Sequence, residues 1–201
     1  MDDSNRIKSD ALLWNEFIKG DEEAFRLIYK DHVQSLFKYG CNFTHDEALI
    51  KDCIQDVFVD LMKYRSTVGS TNNIKLYLFK SLKRKIIRSL QKYEIYSHLD
   101  SDKMPFQYAL SSEEETLEDE SNRLRTRHLE VAMSNLSPRQ KEAIYLKYVS
   151  NLSYEEISSI MKMNYQSARN LIFRGMEKLR ESFPKEIFLF FLFGKRLHKY
   201  L

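Results

Sequence analysis

The sequence predicts an all-α fold: two small helical domains joined by an acidic flexible linker, the second domain a helix-turn-helix. Three observations carry this prediction. Glycine and proline number 5 and 3 in 201 residues, too few for the tight turns of a β architecture. Apolar residues recur at a spacing near 3.6 rather than 2. Charged residues make up 30% and hydrophobic residues 43%, so a packed core and a solvated, helix-favouring surface are both available. The expected boundaries are 10–93 for the first domain, 94–122 for the linker, 123–183 for the second domain and 184–201 for a hydrophobic and basic tail.

The elements follow in order. Ala11 to Lys19 is a short amphipathic stretch around Leu12, Leu13, Trp14 and Phe17. Asp21 is placed to cap the next helix, whose inward positions read Phe25, Ile28, Tyr29, Val33, Leu36, Phe37 and Tyr39. Thr44 or His45 starts a third helix, with Leu49, Cys53, Val57, Phe58, Leu61 and Met62 inward. Residues 66–73 (STVGSTNN) are turn formers and read as a polar loop. A fourth helix carries Leu78, Phe79, Leu82, Ile86 and Leu90 on one face. From residue 94 the periodicity is lost, and this stretch reads as the linker. In the second domain Ser137-Pro138-Arg139-Gln140 places Ser at an N-cap, Pro at N1 and Gln at N3. Ser153-Tyr154-Glu155-Glu156 is a second capping box. Asn164 caps a third helix running to about Phe183. A short helix, a turn at 162–164 and a longer helix fit a helix-turn-helix.

Composition excludes several function classes. No GxGxxG or GxxxxGK[ST] is present. The five histidines are scattered, with neither HxxxH nor HExxH, so no catalytic or metal set is expected and no cofactor. Asp52 and Asp56 have carboxylate-metal spacing but lack a Glu-x-x-His partner. Cys41 and Cys53 lack CxxC spacing and read as reduced thiols of a cytoplasmic protein. No signal peptide is expected, since the chain opens Met1-Asp2-Asp3 without an apolar run behind it. The apolar run Ile187 to Phe193 is far short of the ~20 residues of a membrane span.

The net charge of +3 hides two blocks. Residues 74–92 hold seven basic side chains and no acid, and residues 111–122 hold six acids and no base. Within the third helix Asp52, Asp56 and Asp60 fall at i, i+4 and i+8, with Gln55 and Phe58 beside them. Like charges at that spacing repel, and only Lys63 is placed on the same helix to relieve them. The stripe reads either as a docking face for a basic partner or as a solvated helix face. On the fourth helix Lys80, Arg84, Arg88 and Lys92 recur every four residues, with Lys83 alongside. Such a row suits a nucleic-acid backbone. Tyr77 lies next to the polar loop, where an aromatic ring suits stacking on an unpaired base, or else it belongs to the core. In the last helix Ala168, Leu171, Ile172, Met176 and Leu179 repeat inward. Gln166, Ser167, Arg169, Asn170, Phe173, Arg174 and Lys178 point outward. Arg and Asn near the start of such a helix read G and A edges, and Arg174 and Lys178 suit phosphates.

These motifs together resemble bacterial sigma factors of the sigma-70 family. Asp52 to Leu61 (DCIQDVFVDL) resembles that family's D-x-x-Q-[ED]-V-F helix, and Tyr77 to Arg84 (YLFKSLKR) the segment that follows it. Leu136 to Ala143 (LSPRQKEA) and Leu152 to Ile157 (LSYEEI) resemble the opening of the carboxy-terminal sigma domain. Gln166 to Arg180 resembles its recognition helix. The two-domain layout is similar to the extracytoplasmic-function group, and the wording of Ala168 to Arg174 to members from Bacteroidetes. The resemblance implies a factor, not an enzyme, that directs RNA polymerase to a promoter and helps melt it.

It also implies roles. Asp52, Gln55, Asp56, Phe58 and Asp60 would dock on the clamp helices of the polymerase β′ subunit, with the β subunit as a further contact. Asn72, Asn73, Tyr77, Lys80, Lys83, Arg84 and Arg88 would take the unpaired −10 strand. Gln166, Ser167, Arg169, Asn170, Phe173, Arg174 and Lys178 would read the −35 element. The acidic linker would thread a basic polymerase channel. An anti-sigma factor is an expected partner, and no small-molecule substrate is. Arg84 stands where the family usually has Asn, and Arg88 where an acid is common; both make the helix more basic. The tail packs on the second domain as a terminal helix, or meets an anti-sigma partner or a membrane surface. Two other readings remain open on the residues alone: a duplex-binding regulator with a sensor domain, and a carboxylate-metal helical enzyme.

Overall fold

The computed structural model describes residues 9–92, 106–107 and 131–182. These residues are helical with connecting loops, and no strand occurs among them. The chain divides into two compact units at the junction of His98 and Leu99.

The first unit holds α1 (Asp10–Lys19), α2 (Glu22–Gly40), α3 (Glu47–Lys63) and α4 (Ile74–Lys92). Helices α2, α3 and α4 pack on one another, and α1 lies against α2 and α4. Each start has a local cause. The Ser9 hydroxyl accepts from Leu12 N, and Asp21 accepts from the amides of Glu23 and Ala24. Asp46 caps α3 by accepting from Leu49 N at 3.0 Å. The expected start at Thr44 or His45 is therefore corrected: Thr44 Oγ1 instead accepts from Asp46 N and presents the cap. Trp14, Phe17, Ile28, Leu36, Tyr39, Leu78, Phe79 and Leu82 are buried together in this unit. Burying each such side chain contributes about 1.5–3 kcal/mol before conformational entropy is charged against it.

The expected core of α2 is corrected on one side. Tyr29 is exposed and Phe25, Val33 and Phe37 are half-buried. These four lie at i, i+4, i+8 and i+12, a second apolar row beside the buried one. The row lines a cleft of ≈ 1080 Å³ between α2 and α3, closed on the other side by Phe58 and Met62.

The second unit holds α5 (Pro138–Ile144), a π-helical turn (Tyr145–Val149), α6 (Tyr154–Ile160) and α7 (Tyr165–Ser182). Residues 131–134 are also helical. Ser137 with Gln140 and Ser153 with Glu156 each form a complete capping box. Asn164 Oδ1 accepts from Ser167 N at 2.7 Å at the start of α7. The turn between α6 and α7 is closed by Lys162 at φ 51°, a left-handed position. Helices α5 and α6 both pack on α7. Ala132, Met133, Leu136, Ile144 and Leu179 form one buried cluster, with Met176 against it.

Part of the stretch expected as linker carries structure. Phe106 is buried, and its ring meets Tyr145 edge-on at 5.8 Å. The acidic run 113–120 and the tail 184–201 lie outside the described residues.

Candidate polymerase and nucleic-acid interfaces

The acidic row of α3 is the first candidate surface. Asp52, Gln55 and Asp56 are exposed and Asp60 is half-buried. The row is not unrelieved, as the sequence alone suggested. Lys85 of α4 places Nζ 2.8 Å from Asp60 and 3.6 Å from Asp56. Lys63, the expected partner, lies over the ring of Tyr64 at 5.2 Å. Phe58 is buried, as its inward position on the helix predicts, with its ring 4.8 Å from Tyr29 and 6.0 Å from Phe25. It forms the wall of the α2/α3 cleft and is not part of the outward stripe. Gln55 lines the same cleft, so the charged row and the apolar cleft are continuous.

The second candidate surface is α4 with the loop before it. Lys80, Arg84, Arg88 and Lys92 are all exposed, and Lys83 is half-buried. Asn72 is exposed. Asn73 is engaged as a helix cap, its Oδ1 accepting from Leu76 N at 2.8 Å. Tyr77 is half-buried with its ring edge-on to Trp14 at 5.1 Å, which leans towards the core reading of the two. The loop is fastened by Trp14, which the apolar period of α1 places inward, and by Asp10 at the start of the same helix. Trp14 Nε1 donates to Gly69 O at 2.9 Å, and Asp10 Oδ2 accepts from Ile74 N at 2.9 Å. The only sequence-level signal for this was the indole N–H of a core Trp, which needs an acceptor when buried.

The third surface is α7. Gln166, Ser167, Arg169, Asn170, Phe173, Arg174 and Lys178 are all exposed, while Ala168, Ile172, Gly175 and Leu179 are buried. Gln166 Nε2 donates to Asn170 Oδ1 at 3.1 Å, so the two amides share one orientation. Phe173 is 61% exposed, an apolar ring among polar side chains. Gly175 permits the close crossing of α5: a Cβ there would lie 2.8 Å from Ile144 Cδ1. Behind α7, Arg139 Nη2 donates to the carbonyl of Met161, tying α5 to the turn.

Among the described residues no group of three or more His, Cys, Asp or Glu is arranged to hold a metal ion. Cys41 and Cys53 are free thiols, and burial pushes both above the ordinary cysteine value. No helix among the described residues is long and apolar enough to cross a membrane.

The described residues thus form a helical unit with a cleft and a basic face, and a second unit with a capped helix-turn-helix. Residues 28–94 match the family model for sigma-70 region 2, and residues 127–179 the model for sigma-70 region 4. The chain belongs to the sigma-70 family, and its curated relatives are RNA polymerase sigma factors, one of them named as an ECF factor. It is 25% identical to the RNA polymerase sigma factor CarQ of Myxococcus xanthus, over 82% of this chain and 92% of that one. It is 22% identical to the ECF sigma factor SigM of Bacillus subtilis, over 80% and 95%. Among solved structures, CnrH in complex with the cytosolic domain of CnrY covers 87% of this chain and 96% of that chain. The TM-score is 0.59 and the identity 18%. RpoE of Bartonella quintana, solved with the anti-sigma factor NepR, gives a TM-score of 0.55 at 17% identity, over 82% and 96%. As a sigma factor, the chain directs RNA polymerase to promoters for transcription initiation.

Proposed function

We propose that residues 10–93 dock on core polymerase and hold the −10 element, and that residues 123–183 read the −35 element. The observation that carries this reading is α7, where Arg169 and Asn170 stand exposed in the first turns and Arg174 and Lys178 follow. That order puts base-reading side chains ahead of phosphate-binding ones, as major-groove entry by a recognition helix requires. Asp52, Gln55 and Asp56, with the adjoining α2/α3 cleft, form the face for the β′ clamp helices, and Asp60 supports it through Lys85. The basic row Lys80, Arg84 and Arg88 follows the backbone of the melted strand, and Asn72 is the loop residue offered to its bases. Binding extruded bases offsets an unpairing cost of a few kcal/mol each, so no hydrolysis and no catalytic residue is needed.

The chain is a Bacteroidetes-like member that acts in the cytoplasm. Linker 94–122 threads a basic channel of the polymerase. An anti-sigma factor holds the protein idle, by analogy with the solved NepR complex. The test is transcription in vitro from genomic fragments with core polymerase, with and without the chain. Start sites that appear only with the chain support the reading, and an unchanged transcript pattern overturns it.

A further inference from the structure

Helix α1 touches the α3–α4 connection at its start, its middle and its end. At the start, the Arg65 guanidinium rests on Gly20, the residue that closes α1. A Cβ at Gly20 would lie 3.1 Å from Arg65 Nη1, and the φ of +100° there already favours glycine. In the middle, Trp14 Nε1 donates to Gly69 O at 2.9 Å. At the end, Asp10 Oδ2 accepts from Ile74 N at 2.9 Å, serving the first amide of α4 across 64 residues of sequence. Within the loop, Thr67 N and Val68 N both donate to Tyr64 O at 2.9 Å, and Thr71 Oγ1 accepts from Asn73 N at 3.1 Å. Ser66, Thr67, Gly69, Ser70 and Asn72 are nevertheless exposed.

We propose that α1 is a splint for this loop, with Trp14 as the positioning residue that sets the conformation in which the loop meets an unpaired DNA strand. The inference rests on the reading of the loop as the strand-capturing element. Its physical content is preorganisation. A polar connection between two helices would otherwise be ordered on binding, and the entropy of ordering would be charged against affinity. Fastening at three points leaves the outward side chains unobstructed and fixes the backbone beneath them. Trp14 itself is fully buried, packed against Phe17 at 5.5 Å and Tyr77 at 5.1 Å, so it touches no strand and acts through the neighbours it holds, Gly69 first.

The test uses holoenzyme on a fork-junction DNA whose unpaired strand is randomised, and reads which bases are enriched. Trp14→Phe keeps an aromatic ring and deletes the donor. Asp10→Ala deletes the acceptor at Ile74 without opening the core, and Asp10→Asn keeps a carbonyl acceptor there. The expected result is that Trp14→Phe lowers base enrichment roughly fivefold, the worth of one neutral hydrogen bond, and that Asp10→Ala, which deletes a charge-assisted one, lowers it at least as much. Asp10→Asn should recover most of the Asp10→Ala loss, and recognition of the −35 duplex should be unchanged throughout. Hydrogen exchange on the intact chain should speed up at Thr67 to Thr71 in Trp14→Phe but not at Leu36 or Leu82. Undiminished enrichment in both Trp14→Phe and Asp10→Ala, or unchanged loop exchange in Trp14→Phe, overturns the splint. A wild-type holoenzyme with no base preference in the unpaired strand overturns the strand-capturing reading instead, and the inference falls with it.

Discussion

Lys85 of α4 and Asp60 of α3 form an ion pair, Nζ to Oδ2 2.8 Å, with the lysine side chain 22% exposed and the carboxylate 50%. The pair splits the acidic row in two. Asp60 is turned towards its own unit, while Asp52 at the other end is exposed. Substitutions along the row should therefore differ in what they disturb. Asp52→Lys with Gln55→Ala should weaken core polymerase binding and leave thermal unfolding within ~0.5 kcal/mol of wild type. Asp60→Asn should do the reverse, costing up to about 1 kcal/mol of stability with little change in polymerase affinity. A titration with core polymerase beside an unfolding curve separates the two. Equal affinity losses at both ends would remove the distinction.

The recognition helix makes a second prediction. Arg169→Ala and Asn170→Ala should each cost ~1–3 kcal/mol of discrimination at the −35 element, and Arg174→Ala should weaken all sequences alike. Gln166→Ala should lower discrimination less than Asn170→Ala, because it removes the donor that orients the Asn170 amide. Competition between specific and scrambled duplexes at fixed salt gives these ratios. Equal, sequence-independent losses at 169, 170 and 174 would reassign the base readers.

Gly175 offers a steric test. Gly175→Ala should destabilise the second unit by ~1–3 kcal/mol, because the new methyl meets Ile144 Cδ1 at 2.8 Å. Adding Ile144→Val removes that atom and should recover part of the loss. Denaturant unfolding of the single and double variants checks it, and strictly additive losses would place the strain elsewhere.

Acid should act on the first unit through His32. Burial lowers its pKa below the ordinary value, against the opposing pull of Asp10 and Asp31 and with help from Lys75. The unfolded chain then binds the proton more readily than the folded one. Stability is therefore present above the ordinary histidine value of ~6.5 and declines as pH falls below it. His32→Gln should flatten that decline. Unfolding measured across this range, with and without the substitution, decides it; an unchanged slope would assign the decline to other groups.

Much of the fold is local in origin, and that part was legible. Ser137 with Gln140 and Ser153 with Glu156 are caps written within four residues of sequence, and both form as read. The outward set of α7 follows from one helical period. Several of the differences involve a partner distant in the chain. Period alone gave Tyr29 and Val33 to the core, because an exposed apolar row at i, i+4 spacing has the same signature as a buried one. Lys85 falls outside the row Lys80, Arg84, Arg88 and Lys92, and its pairing with Asp60 exists only once α3 and α4 are packed. Asn73 has the chemistry of a base reader and of a helix cap alike, and the start of α4 decides between them. Phe106 lay in a stretch without periodicity, and a single aromatic anchor has no period to detect. The π-helical turn at Tyr145–Val149 likewise left no pattern in the sequence.

Trp14 is the chain's sole tryptophan, and its indole N–H is held by the carbonyl of Gly69. Light absorbed selectively by indole is thus absorbed at one place, the joint between α1 and the loop that joins α3 to α4. The colour and yield of the emission depend on how dry that joint stays and on whether the carbonyl remains in place. The isolated protein carries its own optical gauge of the loop, with no dye attached and no second tryptophan to blur the reading.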